Sequence, residues 1–154
     1  MNVRPIPQYV SVREVLQQLV RRFGLLQKEG AQCCGITVLQ SHILYELNRQ
    51  PNISLNDLAE SLCVDTSTLS RQVQALVELD LVSRTPDPKD RRYVVLSLTE
   101  QGSKQYEAIA EQMAEYLSNL FRQIPEEKHQ QVMESLFMLS EAMKNSPDCC
   151  TPPM

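Results

Sequence analysis

Residues 54–99 read SLNDLAESLCVDTSTLSRQVQALVELDLVSRTPDPKDRRYVVLSLT. Leu55, Leu58, Ala59 and Leu62 recur at three- and four-residue steps, and so do Leu69, Val73, Leu76 and Leu79. That is the period of a helix with one buried face. Ser54 with Asp57 three residues later resembles a capping box, so the first helix opens there and runs to about Leu62. Cys63-Val64 makes a tight turn, and Asp65 or Thr66 caps the next helix. Two helices of ~8 and ~14 residues joined by a short turn make a helix-turn-helix. Ala59 is small where the two helices must approach closely.

After Asp80 the period changes. Leu81 to Arg84 and Tyr93 to Leu98 are short, β-branched and partly alternating, so both read as strands. Thr85 to Arg92, rich in Pro and Asp, reads as the tip of a hairpin. A helix-turn-helix followed directly by a hairpin is a winged helix. The expected class is therefore mainly α with a small β-hairpin wing.

Outward from this core, helical periods return. Val12, Leu16, Leu19, Val20, Phe23 and Leu26 stripe a first helix that starts near Ser11, with Gly30 as its stop. Ile36 to Leu47 reads as a second, with Thr37 as a cap. Downstream, Thr99 caps a long helix to about Gln123, and Pro125 suits the first position of another. The tail from Asn145 reads as loose. Three segments follow: 1–50, N-terminal dimerisation and linking helices; 51–99, the winged helix-turn-helix; and 100–154, C-terminal dimerisation helices and tail. The outer helices carry broader apolar stripes than one winged lobe can cover. A two-fold dimer buries them and sets two recognition helices one DNA turn apart, ~34–36 Å.

The chain has 154 residues, suited to one domain with arms. Its 15 basic and 19 acidic residues give a net charge of −4, which excludes a wholly basic nucleic-acid coat. The charge is unevenly spread. Residues 1–53 carry +3, 54–99 carry −2 and 100–154 carry −5, while Arg84 to Arg92 holds four basic and two acidic residues. Binding DNA requires local phosphate neutralisation, and the wing supplies it. Trp is absent, with 3 Phe and 5 Tyr, which argues against an aromatic single-strand platform. Residues 1–10 lack the apolar core of a signal peptide, and no apolar run is long enough for a membrane span. The adjacent cysteine pairs Cys33-Cys34 and Cys149-Cys150 are expected to stay reduced, so the expected compartment is the cytoplasm, with no membrane partner.

On the second helix of the pair, Thr66, Ser67, Thr68, Ser70, Arg71 and Gln74 are polar and lie off the apolar stripe. Such side chains reach phosphates and base edges in a major groove. Arg71 is the best guanine reader because its fork bonds two acceptors, and Gln72 or Gln74 suits adenine. Arg84, Lys89, Arg91 and Arg92 make the wing cationic, and a hairpin tip is narrow enough for a minor groove. Asp90 or another acid is placed to hold one of these arginines.

The string from Asp90 through Arg91-Arg92, the strand Tyr93 to Leu98, and Leu98-Thr99-Glu100-Gln101-Gly102 resembles the signature of MarR-family transcriptional regulators. The flanking helices resemble the family as well. The resemblance implies a homodimer whose N- and C-terminal helices interlock, with two winged lobes on a pseudo-palindromic double-stranded operator. It implies that Arg92 sits at the wing tip and that Asp65 pairs with it. One departure is Cys63, where such turns often carry a small or glycine-like residue.

The regulatory input is expected at the cysteines. Cys33 and Cys34 precede the second helix, and a helix N-terminus favours thiolate. An interlocked dimer brings the chain ends together, so Cys149 and Cys150 of one end meet the first pair. Four thiolates suit Zn(II), Cu(I) or As(III) as an effector, or the thiols oxidise instead. His42 with Glu107 or Glu111 completes a harder site with Cys33 or Cys34. No cofactor is required. The competing expectations are a regulator of the same fold that senses a small organic ligand, and a protein-binding winged helix without DNA activity. An enzyme built on Cys33 or Cys34 with His42 lacks an orienting third group, an oxyanion loop and a phosphate loop, so none is expected.

Overall fold

A computed structural model of the chain describes residues 11–147. The expectations for Cys149 and Cys150 fall outside these residues. The helix-turn-helix forms as its spacing predicts: α3 spans Leu55–Leu62 and α4 spans Thr66–Glu78. The Ser54 hydroxyl accepts from the Asp57 amide at 3.1 Å, satisfying one of the orphan donors of α3. The turn is closed by Cys63, whose φ of 53° is left-handed. That conformation suits glycine best, which is why the position tends to be small, and a cysteine there bears modest backbone strain. Leu58, Leu69, Val73 and Leu76 are fully buried. Leu79 is not part of that stripe: it caps the C-terminus of α4 and is 53% exposed, because the helix has ended before its face comes round again.

The wing consists of β2, Val82–Pro86, and β3, Val94–Leu98, paired antiparallel from Val82 opposite Leu98 to Pro86 opposite Val94. A third strand, β1, is only Ile53–Ser54, and it pairs Ile53 with Leu96 to give the order β1-β3-β2. Two residues are too few to show any alternation in sequence. β1 nevertheless carries Ile53 into the same core as Ile43, Leu44 and Leu47.

The start of α5, Glu100–Phe121, is locked onto the wing. Thr99 accepts the Gly102 amide on its hydroxyl oxygen at 2.9 Å, while that hydroxyl donates to the Asp80 carbonyl at 2.6 Å. The Thr99 amide donates to the Leu81 carbonyl at 3.1 Å. A Cβ on Gly102 would overlap that same carbonyl oxygen. The Leu-Thr-x-x-Gly string thus has a physical meaning: threonine caps the helix, and glycine lets its first turn lie against the backbone where the α4–β2 turn ends.

Upstream, α1 spans Val12–Cys33 and α2 spans Val38–Arg49. Gly30 does not stop α1; it is buried within it. The stop lies at Gly35, with φ of 72°, where Ile36 and Gly35 donate to the Ala31 and Gln32 carbonyls at 3.2 and 3.1 Å. This is a Schellman closure, which requires the left-handed residue that glycine supplies most cheaply. Ile36, expected inside α2, instead precedes its cap and is buried. Thr37 and Gln40 form a complete capping box.

Downstream, Pro125 opens a short 3-10 turn, Glu126–Lys128, before α6 begins at His129 and runs to Lys144. His129 is half-buried. Its Nε2 lies 2.8 and 2.9 Å from the Phe121 and Ile124 carbonyls, and its ring meets Phe121 edge-on. Two carbonyl acceptors require that nitrogen to carry the proton. No residue of α6 is buried, and Phe137, Met138 and Met133 are exposed, as are Val12, Val20 and Leu25 of α1. Among the described residues no helix is long and apolar enough to cross a membrane.

Candidate nucleic-acid interface

The outward face of α4 begins with its cap. Asp65 Oδ2 accepts the Thr68 amide at 2.8 Å and the Ser67 hydroxyl at 2.6 Å, and Oδ1 accepts the Thr68 hydroxyl at 2.7 Å. The hydroxyls of Ser67 and Thr68, then the Thr68 amide, hold the Asp65 carboxyl well below the usual carboxylate range. The Ser67 and Thr68 hydroxyl protons are committed to Asp65. Each therefore offers DNA an oxygen lone pair, suited to base amino groups, and no proton for a phosphate. Thr66, Ser67, Arg71 and Gln74 are exposed, while Thr68 and Ser70 are half-buried.

Arg84 of β2 reaches back to this face. Its Nη1 donates to Gln74 Oε1 at 2.8 Å, and Gln74 Nε2 donates to Glu78 Oε1 at 3.3 Å. Gln74 is thus engaged at both ends of its amide, which holds the side chain in one orientation against Arg84 and Glu78.

At the wing tip, Asp87 Oδ1 accepts the Lys89 amide at 2.9 Å and the Asp87 amide donates to the Tyr93 carbonyl at 2.9 Å. Arg92 meets Asp90 in a fork, Nε to Oδ1 at 3.0 Å and Nη2 to Oδ2 at 2.8 Å. The Arg92 guanidinium pulls the Asp90 carboxyl down, and Asp90 pushes the Arg92 pKa up. The pairing implied between Asp65 and Arg92 is not made in this structure. Asp65 accepts three hydrogen bonds from its own helix, and Arg92 takes the acid two residues away, which closes a smaller loop of chain. Arg71, Lys89 and Arg91 make no ion pair among the described residues.

The cysteine corner differs from its expectation. Cys33 is the last residue of α1 and Cys34 is its C-cap. The pair lies at the negative end of the α1 dipole, in place of the positive end of α2. Burial pushes the Cys34 thiol up, and Cys33 adds to the effect. The Cys34 carbonyl accepts from Gln105 Nε2 of α5 at 2.9 Å. His42 does not join the cysteines, Glu107 or Glu111; its Nε2 accepts from Gln27 at 3.0 Å. Among the described residues no group of three or more His, Cys, Asp and Glu is placed to hold a metal ion.

A feature absent from the sequence reading lies between α1, α2 and α5. It is an apolar cleft of about 540 Å³, walled by Phe23, Tyr45, Tyr106 and Met113, with Gln27 and His42 as polar groups. Glu46 also lines it, and its Oε2 is buried without a hydrogen-bond partner among the described residues, 3.6 Å from Arg49 Nε. Residues of α1, α2 and α5, with Leu62 of α3, build the cleft, so no local motif announces it.

The fold and this interface have counterparts. The MarR family model matches residues 36–94. The HTH-type transcriptional repressor MdtR of Bacillus subtilis is 30% identical over 68% of this chain and 70% of its own length. The crystal structure of a MarR transcriptional regulator from Methanosarcina mazei superposes with a TM-score of 0.75 at 26% identity, covering 88% of this chain and 98% of that one. A mutant of S. aureus MepR bound to an oligodeoxyribonucleotide shares the fold, with a TM-score of 0.62 at 24% identity over 87% of this chain and 99% of that one. The chain belongs to the MarR family of winged-helix transcriptional regulators, which are DNA-binding proteins and not enzymes.

Proposed function

We propose that the chain acts in the cytoplasm as a homodimeric repressor that binds a pseudo-palindromic operator and leaves it when an effector binds. The observation that carries this is the bond from Arg84 to Gln74, which joins wing and recognition helix into one polar, cationic surface on an acidic chain. In this reading α4 enters the major groove with Arg71 on a base edge and Thr66, Ser67, Thr68 and Ser70 around it. Arg91, Lys89 and Arg92 follow the flanking minor groove or its phosphates. The exposed apolar faces of α1 and α6 form the dimer.

The effector acts where α1, α2 and α5 meet, since that junction links the dimer helices to the winged lobe. The cleft there favours a small, largely apolar organic ligand, with the carboxylate of Glu46 selecting a hydrogen-bond donor. The thiol pair at the same junction is the alternative input.

The test is a mobility-shift titration on the DNA immediately upstream of the chain's own coding sequence, in rising salt. Specific retardation that weakens with salt supports the repressor reading. No retardation of that DNA, or retardation equal to that of scrambled DNA, favours a protein-binding winged helix. Repeating the shift with peroxide, zinc, copper and arsenite, on wild type and on Cys33→Ser with Cys34→Ser, separates thiol input from an organic ligand.

A further inference from the structure

Cys33 and Cys34 lie at the corner between α1 and α2 with their sulfurs 3.8 Å apart. Cys33 is exposed and Cys34 half-buried, so a small solute reaches both. Three considerations narrow what the pair can hold. A closed zinc site takes about four ligands, and among the described residues no third His, Cys, Asp or Glu completes a group here. Copper(I) on two thiolates wants the sulfurs on opposite sides of the ion, whereas neighbouring side chains approach it from one side. A disulfide meets a third obstacle. A trans peptide holds successive Cα atoms about 3.8 Å apart, while disulfides span Cα separations of roughly 4.4–6.8 Å.

Trivalent arsenic meets none of these obstacles. It is thiophilic, it binds in a pyramid with its bonds near right angles, and it sits between two sulfurs without asking them to touch. Its third substituent points away to solvent. We propose that Cys33 and Cys34 form a two-thiol site for trivalent arsenicals.

The reaction is a condensation. Two As–O bonds and two S–H bonds break, and two As–S bonds form. Each thiol proton leaves with one arsenic-bound hydroxyl as water. Arsenic stays trivalent and no oxidant enters. Ring closure ties the last residue of α1 to its own cap, beside the bond from Gln105 to the Cys34 carbonyl that joins α1 to α5. The site needs no metal cluster and no second subunit.

Phenylarsine oxide and intact-mass spectrometry of the full chain test this. A chain carrying Cys63→Ser, Cys149→Ser and Cys150→Ser is expected to gain one phenylarsine group. That adduct should survive excess monothiol and be removed by a dithiol. Adding Cys33→Ser or Cys34→Ser should abolish the monothiol-resistant adduct. No resistant adduct in the triple-serine chain, or one indifferent to Cys33→Ser, overturns the proposal. Should that chain fold poorly, peptide mapping of the treated wild type decides. A resistant adduct on Cys33-Cys34 supports the site, and one confined to Cys149-Cys150 refutes it. The readout involves no DNA, so its failure leaves the repressor reading standing, and the converse holds as well.

Discussion

Arg84 and Gln74 are bonded across the junction of wing and recognition helix, Nη1 to Oε1 at 2.8 Å. In the proposed interface Gln74 acts as a fixture for a cation. Gln74→Ala is expected to weaken operator binding by about 1 kcal/mol, roughly fivefold, as Arg84 loses its anchor. The loss should be uniform across operator variants. Arg84→Ala should lower affinity and reduce the slope of log affinity against log salt by about 1, since a phosphate partner is removed. Fluorescence anisotropy on a panel of single-base operator variants measures both. A change of preference at one base pair in Gln74→Ala would show that the amide reads sequence after all.

Arg71 and the wing cations should separate in the same assay. Arg71 makes no ion pair among the described residues and projects from the middle of α4. Arg71→Ala is expected to cost ~1–3 kcal/mol on the best site and to relax specificity at one position. Arg91→Ala should weaken all sequences alike. Arg92 is a special case because Asp90 already offsets its charge. Asp90→Asn removes that anion and should steepen the salt dependence by about 1. An unchanged slope would mean that Arg92 never faces a phosphate.

Asp65 supplies a pH signature. Its carboxyl is held well below the usual aspartate value by the hydroxyls of Ser67 and Thr68 and by the Thr68 amide. A folded-state pKa below the unfolded one means the stabilisation is fully present above the unfolded value, ~3.9, and is lost as pH falls through the folded one. Asn can also cap a helix but carries no charge. Denaturant melts of wild type and Asp65→Asn should thus differ by a constant amount at neutral pH. The two curves should converge as pH drops below about 4. A gap that stays constant into acid would place the effect in packing, not in the charge.

Much of the fold is readable because period survives local noise. Leu58, Leu69, Val73 and Leu76 fall on inward faces by spacing alone, and all four are buried. What escapes depends on backbone conformation or on distant residues. Gly30 and Gly35 look alike in sequence, yet only Gly35 has the positive φ that stops α1. That five-residue shift moves Cys33 and Cys34 from the approach to α2 onto the end of α1, which reverses the dipole they face. At the interface, residue types mark the face of α4 and the wing. Asp90, legible as a holder of a wing arginine, does take Arg92, whereas Asp65 accepts hydrogen bonds from its own helix. The cleft beside Glu46 joins residues of α1 and α2 to Leu62 of α3 and to α5, more than fifty residues further on.

Gly102 offers a stability prediction that follows from contact alone. A Cβ there would overlap the Leu81 carbonyl oxygen, and that oxygen cannot retreat freely because it accepts the Thr99 amide at 3.1 Å. Gly102→Ala should destabilise by about 3 kcal/mol, in the upper range for overpacking a rigid contact. The usual helix-propensity gain of Ala over Gly, about 1 kcal/mol, is too small to offset it. Gly24, whose added Cβ meets nothing within 4 Å, is the control, and Gly24→Ala should be neutral or stabilising. Chemical denaturation measures both, and equal effects at the two positions would refute the contact argument.

Phe137 tests the dimer. It lies on α6 with 67% of its surface exposed, on a helix with no buried residue. Fully burying one such side chain contributes ~1.5–3 kcal/mol. A two-fold interface contains it twice, so its loss should weaken dimerisation by ~3–6 kcal/mol, or roughly 10²–10⁴-fold. Phe137→Glu adds the repulsion of two charges and is expected to run as a monomer in light scattering at micromolar concentration. Its helical circular dichroism should persist, because the core around Leu69 and Leu96 is formed within one chain. Operator affinity should fall to that of a single half-site, since each lobe then binds without the other holding it in place. A variant that stays dimeric with full affinity would show that α6 faces solvent and that the partner docks elsewhere.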